Sequence, residues 1–345
     1  MAQEKPRVLI VGTGGIGAMS AYALDQGGKA DVTAVLRSNY DAVSKAGFEI
    51  DSIQYGSISG WRPANIRQTI PDVTAESLPP YDFILVTTKN IPDVPPSVAD
   101  IIAPAVTSSK TAIILSQNGL NIEGPLISRF PSNPVISSVS YLGATQHPPG
   151  KILHDDYDVQ KIGAFTNPNV PPGVAEDAAK RYIDIYDPNR KLEITYDPDV
   201  CRARWRKLVY NASYNSVAAI LLLDTPRMRM SKHIIDDLIR PIMREVIAAA
   251  EACGVTGFPE DLPEMVIRAD PTDTGFKPSM CQDAEKGAFM EIENIVGEPL
   301  REGEKRGVPM PTLRTVYGLL KGLQLKVMES KGLWEPGFGE GHPYK

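Results

Sequence analysis

Residues 7–26 read RVLIVGTGGIGAMSAYALDQ, and this stretch decides the fold. An apolar, β-branched run, RVLIV, leads straight into glycines and then into a helix-forming segment, Ile16 to Gln26. Residues 12–17, GTGGIG, match G-x-G-x-x-G. The pattern alone is weak, but between a strand and a helix it marks a dinucleotide-binding turn. Gly12 then permits the tight bend, Gly14 lets the main chain approach a pyrophosphate, and Gly17 lets the helix pack on the strand. The start of the helix offers unpaired N–H groups and a partial positive charge. Gly12, Thr13, Gly14, Gly15, Ile16 and Gly17 are together the candidate cofactor loop. The bland alternative is a glycine-rich turn with no ligand.

Further along, short apolar runs alternate with helical segments. DVTAVL at 31–36, FILVT at 83–87, TAIIL at 111–115 and PVISSV at 134–139 read as strands, with two more at 159–165 and 192–196. Continuous β-branched runs are what a parallel sheet covered by helices on both faces requires. Pro-Pro pairs at 79–80, 95–96, 148–149 and 171–172 mark turns between such runs. From about residue 198 the pattern changes to long helices: 200–223, 231–253, 284–306 and 312–331. The second carries apolar pairs at 234/235, 238/239, 242/243 and 246/247, a wide helical stripe closed by Gly254. The expected architecture is α/β: a Rossmann-type doubly wound domain over 1–197, an all-helical domain over 198–332, and an irregular tail over 333–345. Residues 51–75 carry no readable motif.

The second strand ends at Arg37, where NAD-binding proteins place an acid for the ribose hydroxyls. Here Arg37 is followed by Ser38 and Asn39. An arginine at this place accommodates a 2′-phosphate and favours NADPH over NADH; the bland alternative is a solvated surface arginine.

Composition narrows the classes. The 345 residues include 42 acids and 36 bases, a net charge of −6, so the basic balance usual in nucleic-acid binders is absent. Cys201, Cys253 and Cys281 are too few and too scattered for a disulfide framework or a zinc cluster. The longest apolar run, Val217 to Leu223, is far short of a membrane span. The N-terminus lacks the layout of a signal peptide. A soluble cytoplasmic protein is expected, with no metal, membrane or nucleic-acid partner. A homodimer is compatible with the long helical stripes, though nothing requires one.

Residues 204–220 read RWRKLVYNASYNSVAAI. Lys207, Asn211 and Asn215 fall at steps of four, which keeps an amine and two amides on one helix face. A lysine in a partly desolvated cleft can donate a proton or clamp an anion, whereas a solvated polar face is the bland reading. In KPSMCQDAEKGAFMEIENIVGEPL, at 277–300, Ser279 to Gln282 fits a helix capping box. Glu291 falls beside Ala288, Ile292 and Ile295, where an acid is usually the border of an exposed face.

Taken together, GTGGIG at 12–17, VTTKN at 86–90, QNGLN at 117–121, RWRKLVYNASYN at 204–215, SMCQDAEKGAFMEIENIVG at 279–297 and GVPMPTL at 307–313 resemble the ketopantoate reductase family from about residue 6 to 330. The resemblance implies NADPH-dependent reduction of a small 2-oxo acid to a D-2-hydroxy acid, 2-dehydropantoate to (R)-pantoate being the first candidate. It implies that Lys207 is the catalytic lysine and Glu291 the acid that pairs with it. Asn211, Asn215 and Ser279 would contact substrate. Asn118 would lie near both substrate and nicotinamide, and Arg37 with Lys89 would flank the 2′-phosphate. Tyr210 and Tyr214 make the lysine's surroundings more aromatic than the family pattern requires. Two alternatives stand beside this reading: reduction of another branched 2-oxo acid such as 2-oxoisovalerate, and a non-catalytic NADPH-binding redox sensor. A third is a different two-domain dehydrogenase with a helical second domain, such as a 3-hydroxyacid type.

Overall fold

The computed structural model describes residues 4–171 and 173–345, so the turn expected at 171–172 lies partly outside the described residues. The chain divides into two compact units, Met1–Arg204 and Trp205–Lys345.

The first unit runs β1 (Arg7–Val11), α1 (Gly15–Gly27), β2 (Asp31–Val35), α2 (Tyr40–Ala46), β3 (Phe48–Ser52), β4 (Gly56–Trp61), β5 (Asn65–Arg67), β6 (Phe83–Val86), α3 (Val98–Ile102), β7 (Ala112–Leu115), α4 (Gly124–Arg129), β8 (Val135–Ser140), β9 (Gly143–Gln146), β10 (Lys151–Asp156), β11 (Val159–Ala164), α5 (Val174–Tyr186) and β12 (Glu193–Tyr196). Eight strands form the main sheet in the order β12-β11-β8-β7-β6-β1-β2-β5. Every neighbouring pair in it is parallel except β8 with β11. Successive side chains leave a strand on opposite faces. Val8 and Ile10 therefore join one core layer, with Leu24 of α1 and Tyr182 and Tyr186 of α5. Leu9 and Val11 join the other, with Ile84, Ile113 and Ile102. Both faces are covered, which is why RVLIV carries no polar alternation. Burial of each of its fully enclosed side chains stabilises the fold by about 1.5–3 kcal/mol.

A second sheet, β4-β3-β10-β9, was not anticipated. Its strands are half exposed: FEIDS alternates buried and exposed residues, and GSISGW has no fully buried residue. It packs on α1 through Phe48, Ile50 and Ile152 against Ala18, Met19 and Tyr22. The unread stretch 51–75 thus holds the end of β3, the whole of β4 and the edge strand β5.

α6 (Val200–Tyr210) begins in the first unit and ends in the second. The second unit continues with α7 (Ser216–Leu221), α8 (Thr225–Met230), α9 (Arg240–Ala252), α10 (Leu262–Ile267), α11 (Ser279–Glu285), α12 (Glu298–Lys305) and α13 (Pro311–Ser330). Three π-helical turns interrupt it, at Asn211–Asn215, Ile234–Ile239 and Glu293–Gly297. The first joins α6 to α7 without a break. Residues 333–345 carry neither helix nor strand, and no helix among the described residues is long and apolar enough to cross a membrane.

The expected helix over 284–306 is corrected. α11 stops at Glu285, Gly287 turns the chain at φ +58°, and helix resumes only at Ile292. Glu291 therefore lies in the connection rather than on a helix face, and it is buried, at 9% exposure. The capping box is corrected as well. Pro278 occupies the N-cap position, Ser279 is the first helical residue, and no side chain caps α11.

Candidate active site

The cofactor loop sits where ligands bind in open α/β sheets, beyond the carboxyl ends of strands at a switch in strand order. β1 has β2 on one side and β6 on the other. The four segments following β1, β2, β6 and β7 carry, in turn, the glycines, Arg37, Lys89 and Asn118.

Three of the four glycines have a reason visible in the packing. Gly12 has φ +100°, and a Cβ there would lie 2.6 Å from the amide nitrogen of Thr88. A Cβ on Gly17 would strike the carbonyl oxygen of Gly12 and lie 2.6 Å from Thr87 Oγ1. A Cβ on Gly15 would strike the carbonyl of Ala144 on β9. Gly14 differs: nothing lies within 4 Å of the place its Cβ would take. So three glycines are needed for packing against protein, and one faces open space at the head of α1. That open side, beside the unpaired N–H groups of a helix start, fits a pyrophosphate.

Side chains brace the loop from behind. Thr13 Oγ1 donates to the carbonyl of Val35 at 2.5 Å, and Asn39 Nδ2 donates to the carbonyl of Thr13 at 2.7 Å. Thr87 Oγ1 donates to the carbonyl of Gly12 at 2.5 Å. The Thr13 hydroxyl is thus turned towards β2 and its carbonyl towards Asn39. The bracing roles of Asn39 and Thr87 were not picked out from sequence; the signal for Asn39 was an amide two residues after Arg37, at the end of the second strand. Arg37 is exposed, and its guanidinium makes no hydrogen bond or ion pair among the described residues. Lys89 is exposed and Asn118 half buried.

In the second unit Lys207 is half buried near the end of α6. Asn211 and Asn215 follow inside the π turn and are buried, at 7% and 3% exposure. Asn215 Nδ2 donates to Ser279 Oγ at 3.4 Å, a long hydrogen bond that brings the asparagine and the serine of α11 together. The same π turn packs against α11 and against the π turn at Glu293–Gly297, which starts two residues after Glu291. Tyr210 and Tyr214 stack with ring centres 5.1 Å apart. Tyr210 donates to Asp270 at 2.6 Å, and burial raises its phenol pKa; Tyr214 donates to the carbonyl of Ile267. Both hydroxyls are therefore engaged by the end of α10 and the segment just after it.

The chain is similar to known proteins over most of its length. The family profile for ketopantoate reductase PanE/ApbA matches residues 8–167, and the profile for its C-terminal part matches 199–324. The chain belongs to the ketopantoate reductase family. It is 36% identical to an uncharacterised protein of Saccharomyces cerevisiae over 95% of this chain and 96% of that one. It is 25% identical to a 2-dehydropantoate 2-reductase of Nostoc sp., over 90% and 93% of the two chains. The crystal structure of 2-dehydropantoate 2-reductase from Methylococcus capsulatus superposes with a TM-score of 0.76 at 30% identity, covering 93% of this chain and 97% of that one. A ketopantoate reductase family member is an oxidoreductase acting on a CH–OH group of a small molecule with a nicotinamide cofactor. The glycine loop of this chain fits that cofactor on packing grounds alone.

Proposed function

We propose that this protein reduces a 2-oxo acid to a D-2-hydroxy acid with NADPH, 2-dehydropantoate to (R)-pantoate being the first reaction to test. The observation that carries the reading is the buried amide pair Asn211 and Asn215 behind the half-buried Lys207, with Asn215 bonded to Ser279. Buried amides need partners, and this set gathers hydrogen-bond donors next to an ammonium group. That is the chemistry a 2-oxo carboxylate asks for.

The cofactor is held by the main chain of Gly12–Gly17, and Arg37 with Lys89 supplies positive charge for a 2′-phosphate. When bound, the reduced nicotinamide supplies a hydride to the carbonyl carbon. Negative charge then grows on the carbonyl oxygen, and the Lys207 ammonium stabilises it and gives it a proton. Asn211, Asn215 and Ser279 hold the substrate carboxylate. Glu291, buried just ahead of the third π turn, orients the lysine and the substrate. No cysteine among the described residues is in a disulfide, which suits work in a reducing cytoplasm.

The test is NADPH consumption by the purified protein with 2-dehydropantoate and 2-oxoisovalerate side by side, repeated with Lys207→Ala. A site that reads the terminal hydroxyl of 2-dehydropantoate rejects the analogue lacking it by orders of magnitude. Lys207→Ala should lower turnover by about 10²–10⁴-fold, the usual worth of a positioned acid, while NADPH still binds. Turnover in the variant equal to that of the parent protein would sink the assignment.

A further inference from the structure

Arg204 was not singled out from sequence, yet it is the most enclosed cation among the described residues near the strand ends. It is 4% exposed. Its Nε donates to Ser137 Oγ at 2.7 Å, one terminal nitrogen donates to the carbonyls of Gln117 (3.0 Å) and Gly119 (2.9 Å), and the other to the carbonyl of Leu115 (3.3 Å). Its guanidinium also lies 5.2 Å from the ring centre of Phe165. Burial lowers its pKa to about 10, with the Glu123 carboxylate acting in the other direction, so it stays charged at neutral pH. A buried guanidinium costs desolvation energy unless its donors are used. Here they are spent on three carbonyls within five residues of one loop.

That loop is the one carrying Asn118. Gln117 braces it from the other side, donating through Nε2 to the carbonyl of Thr88 at 2.7 Å. Thr88 in turn is the residue against which Gly12 is packed. The carbonyls on both sides of Asn118 are thus tied down, while its own carboxamide makes no hydrogen bond among the described residues. We infer that Arg204 is a positioning residue for the reaction: it fixes the loop 115–119 so that the Asn118 carboxamide is presented to substrate and nicotinamide. The inference rests on the role proposed above for Asn118. A loop misplaced by about 1 Å can cost 10²-fold in rate, so a clamp of this kind is worth conserving a buried charge.

The test combines kinetics with hydrogen exchange on full-length protein. Arg204→Met removes every donor and keeps the bulk of the side chain. The amides of 115–119 should exchange faster, those of 7–24 should be unchanged, kcat/KM should fall about 10–100-fold, and the NADPH Kd should stay within about threefold of the parent value. Asn118→Ala should lose activity to a similar degree, and the double variant should lose no more than Asn118→Ala alone, because one residue acts through the other. Arg204→Lys, which keeps the charge but cannot reach all four acceptors, should fall between parent and Arg204→Met; it also covers the case in which the Met variant does not fold. Unchanged exchange at 115–119, or losses that multiply in the double variant, would overturn the inference. Full activity in Asn118→Ala would overturn it together with the proposed role of that asparagine, whereas lost activity in Asn118→Ala with an undamaged Arg204→Met would overturn the clamp alone.

Discussion

The glycine loop permits a prediction that separates folding from binding within six residues. At Gly17 an added methyl collides with the carbonyl oxygen of Gly12 and lies 2.6 Å from Thr87 Oγ1. The first obstacle is main chain, so the helix start must shift. Overpacking of this kind costs about 1–3 kcal/mol. For a unit of this size each kcal/mol moves the melting temperature by about 2–4 °C, so Gly17→Ala should lower it by roughly 2–12 °C. At Gly14 the methyl meets open space, and the backbone there (φ −79°, ψ −153°) is extended. Gly14→Ala should therefore leave stability unchanged or raise it by about 0.4–1 kcal/mol through the unfolded chain. Its methyl would occupy the side left open for the pyrophosphate, so NADPH affinity should fall at least tenfold, about 1.4 kcal/mol. Thermal unfolding without cofactor and fluorescence titration with NADPH read the two effects independently. A Gly14→Ala protein as unstable as Gly17→Ala, or one that binds NADPH like the parent, would refute the assignment of the open side to the cofactor.

Three other outcomes are expected. Arg37→Ala should weaken NADPH binding by about 1.5–3 kcal/mol, the worth of a hydrogen bond to a charged group, and leave NADH nearly untouched; equal losses for both cofactors would remove the 2′-phosphate role. The expected loss of turnover in Lys207→Ala should come without a matching loss of NADPH affinity, and a large change in Kd would point to a folding defect instead. His154 is buried on β10 with Nδ1 2.7 Å from Ser52 Oγ, and burial holds its pKa below the ordinary 6.5 although Asp158, Asp155 and Asp156 pull it up. The unfolded chain therefore takes up the proton first, so this stabilising contribution is complete above pH 6.5 and is lost as pH falls below it. His154→Asn should shrink the drop in urea midpoint between about pH 7.5 and 5.5; Asp158, raised by burial, acts in the opposite sense in both proteins. An undiminished drop would refute the role of His154.

The main sheet was legible because its strands are buried on both faces and so spell themselves out as unbroken apolar runs. The second sheet was not. Its strands expose alternate residues, and β3 pairs in parallel with β10, about a hundred positions away in the chain, which no local pattern reveals. The lysine helix was legible from its spacing. The surroundings of Ser279 and Glu291 were misread in two ways: Ser279 was taken as a helix cap, and Glu291 as part of a helix unbroken over 284–306. Pro278 takes the cap position from Ser279, and the turn at Gly287 removes Glu291 from the helix. The freed serine hydroxyl is the group that meets Asn215. In each case the departure from the simplest helix reading lies at a candidate site residue.

The π turn at Asn211–Asn215 shows why such a departure can be useful. In an α-helix a step of four overshoots one turn of 3.6 residues, so Lys207, Asn211 and Asn215 would drift steadily round the axis. A π turn, closed by i→i+5 bonds, takes more residues per turn, and there a step of four falls short. The α step from Lys207 to Asn211 and the π step from Asn211 to Asn215 therefore drift in opposite senses and partly cancel. Two serines bond back to main-chain carbonyls at this turn: Ser213 Oγ donates to Val209 at 2.6 Å, and Ser216 Oγ to Ala212 at 2.5 Å. Such back-bonding usually bends or weakens a helix. Here it falls within and just after the turn that carries Asn211 and Asn215, so on the reading proposed above the two serines bear on how those amides are placed, and Ser213→Ala or Ser216→Ala should disturb turnover without touching substrate.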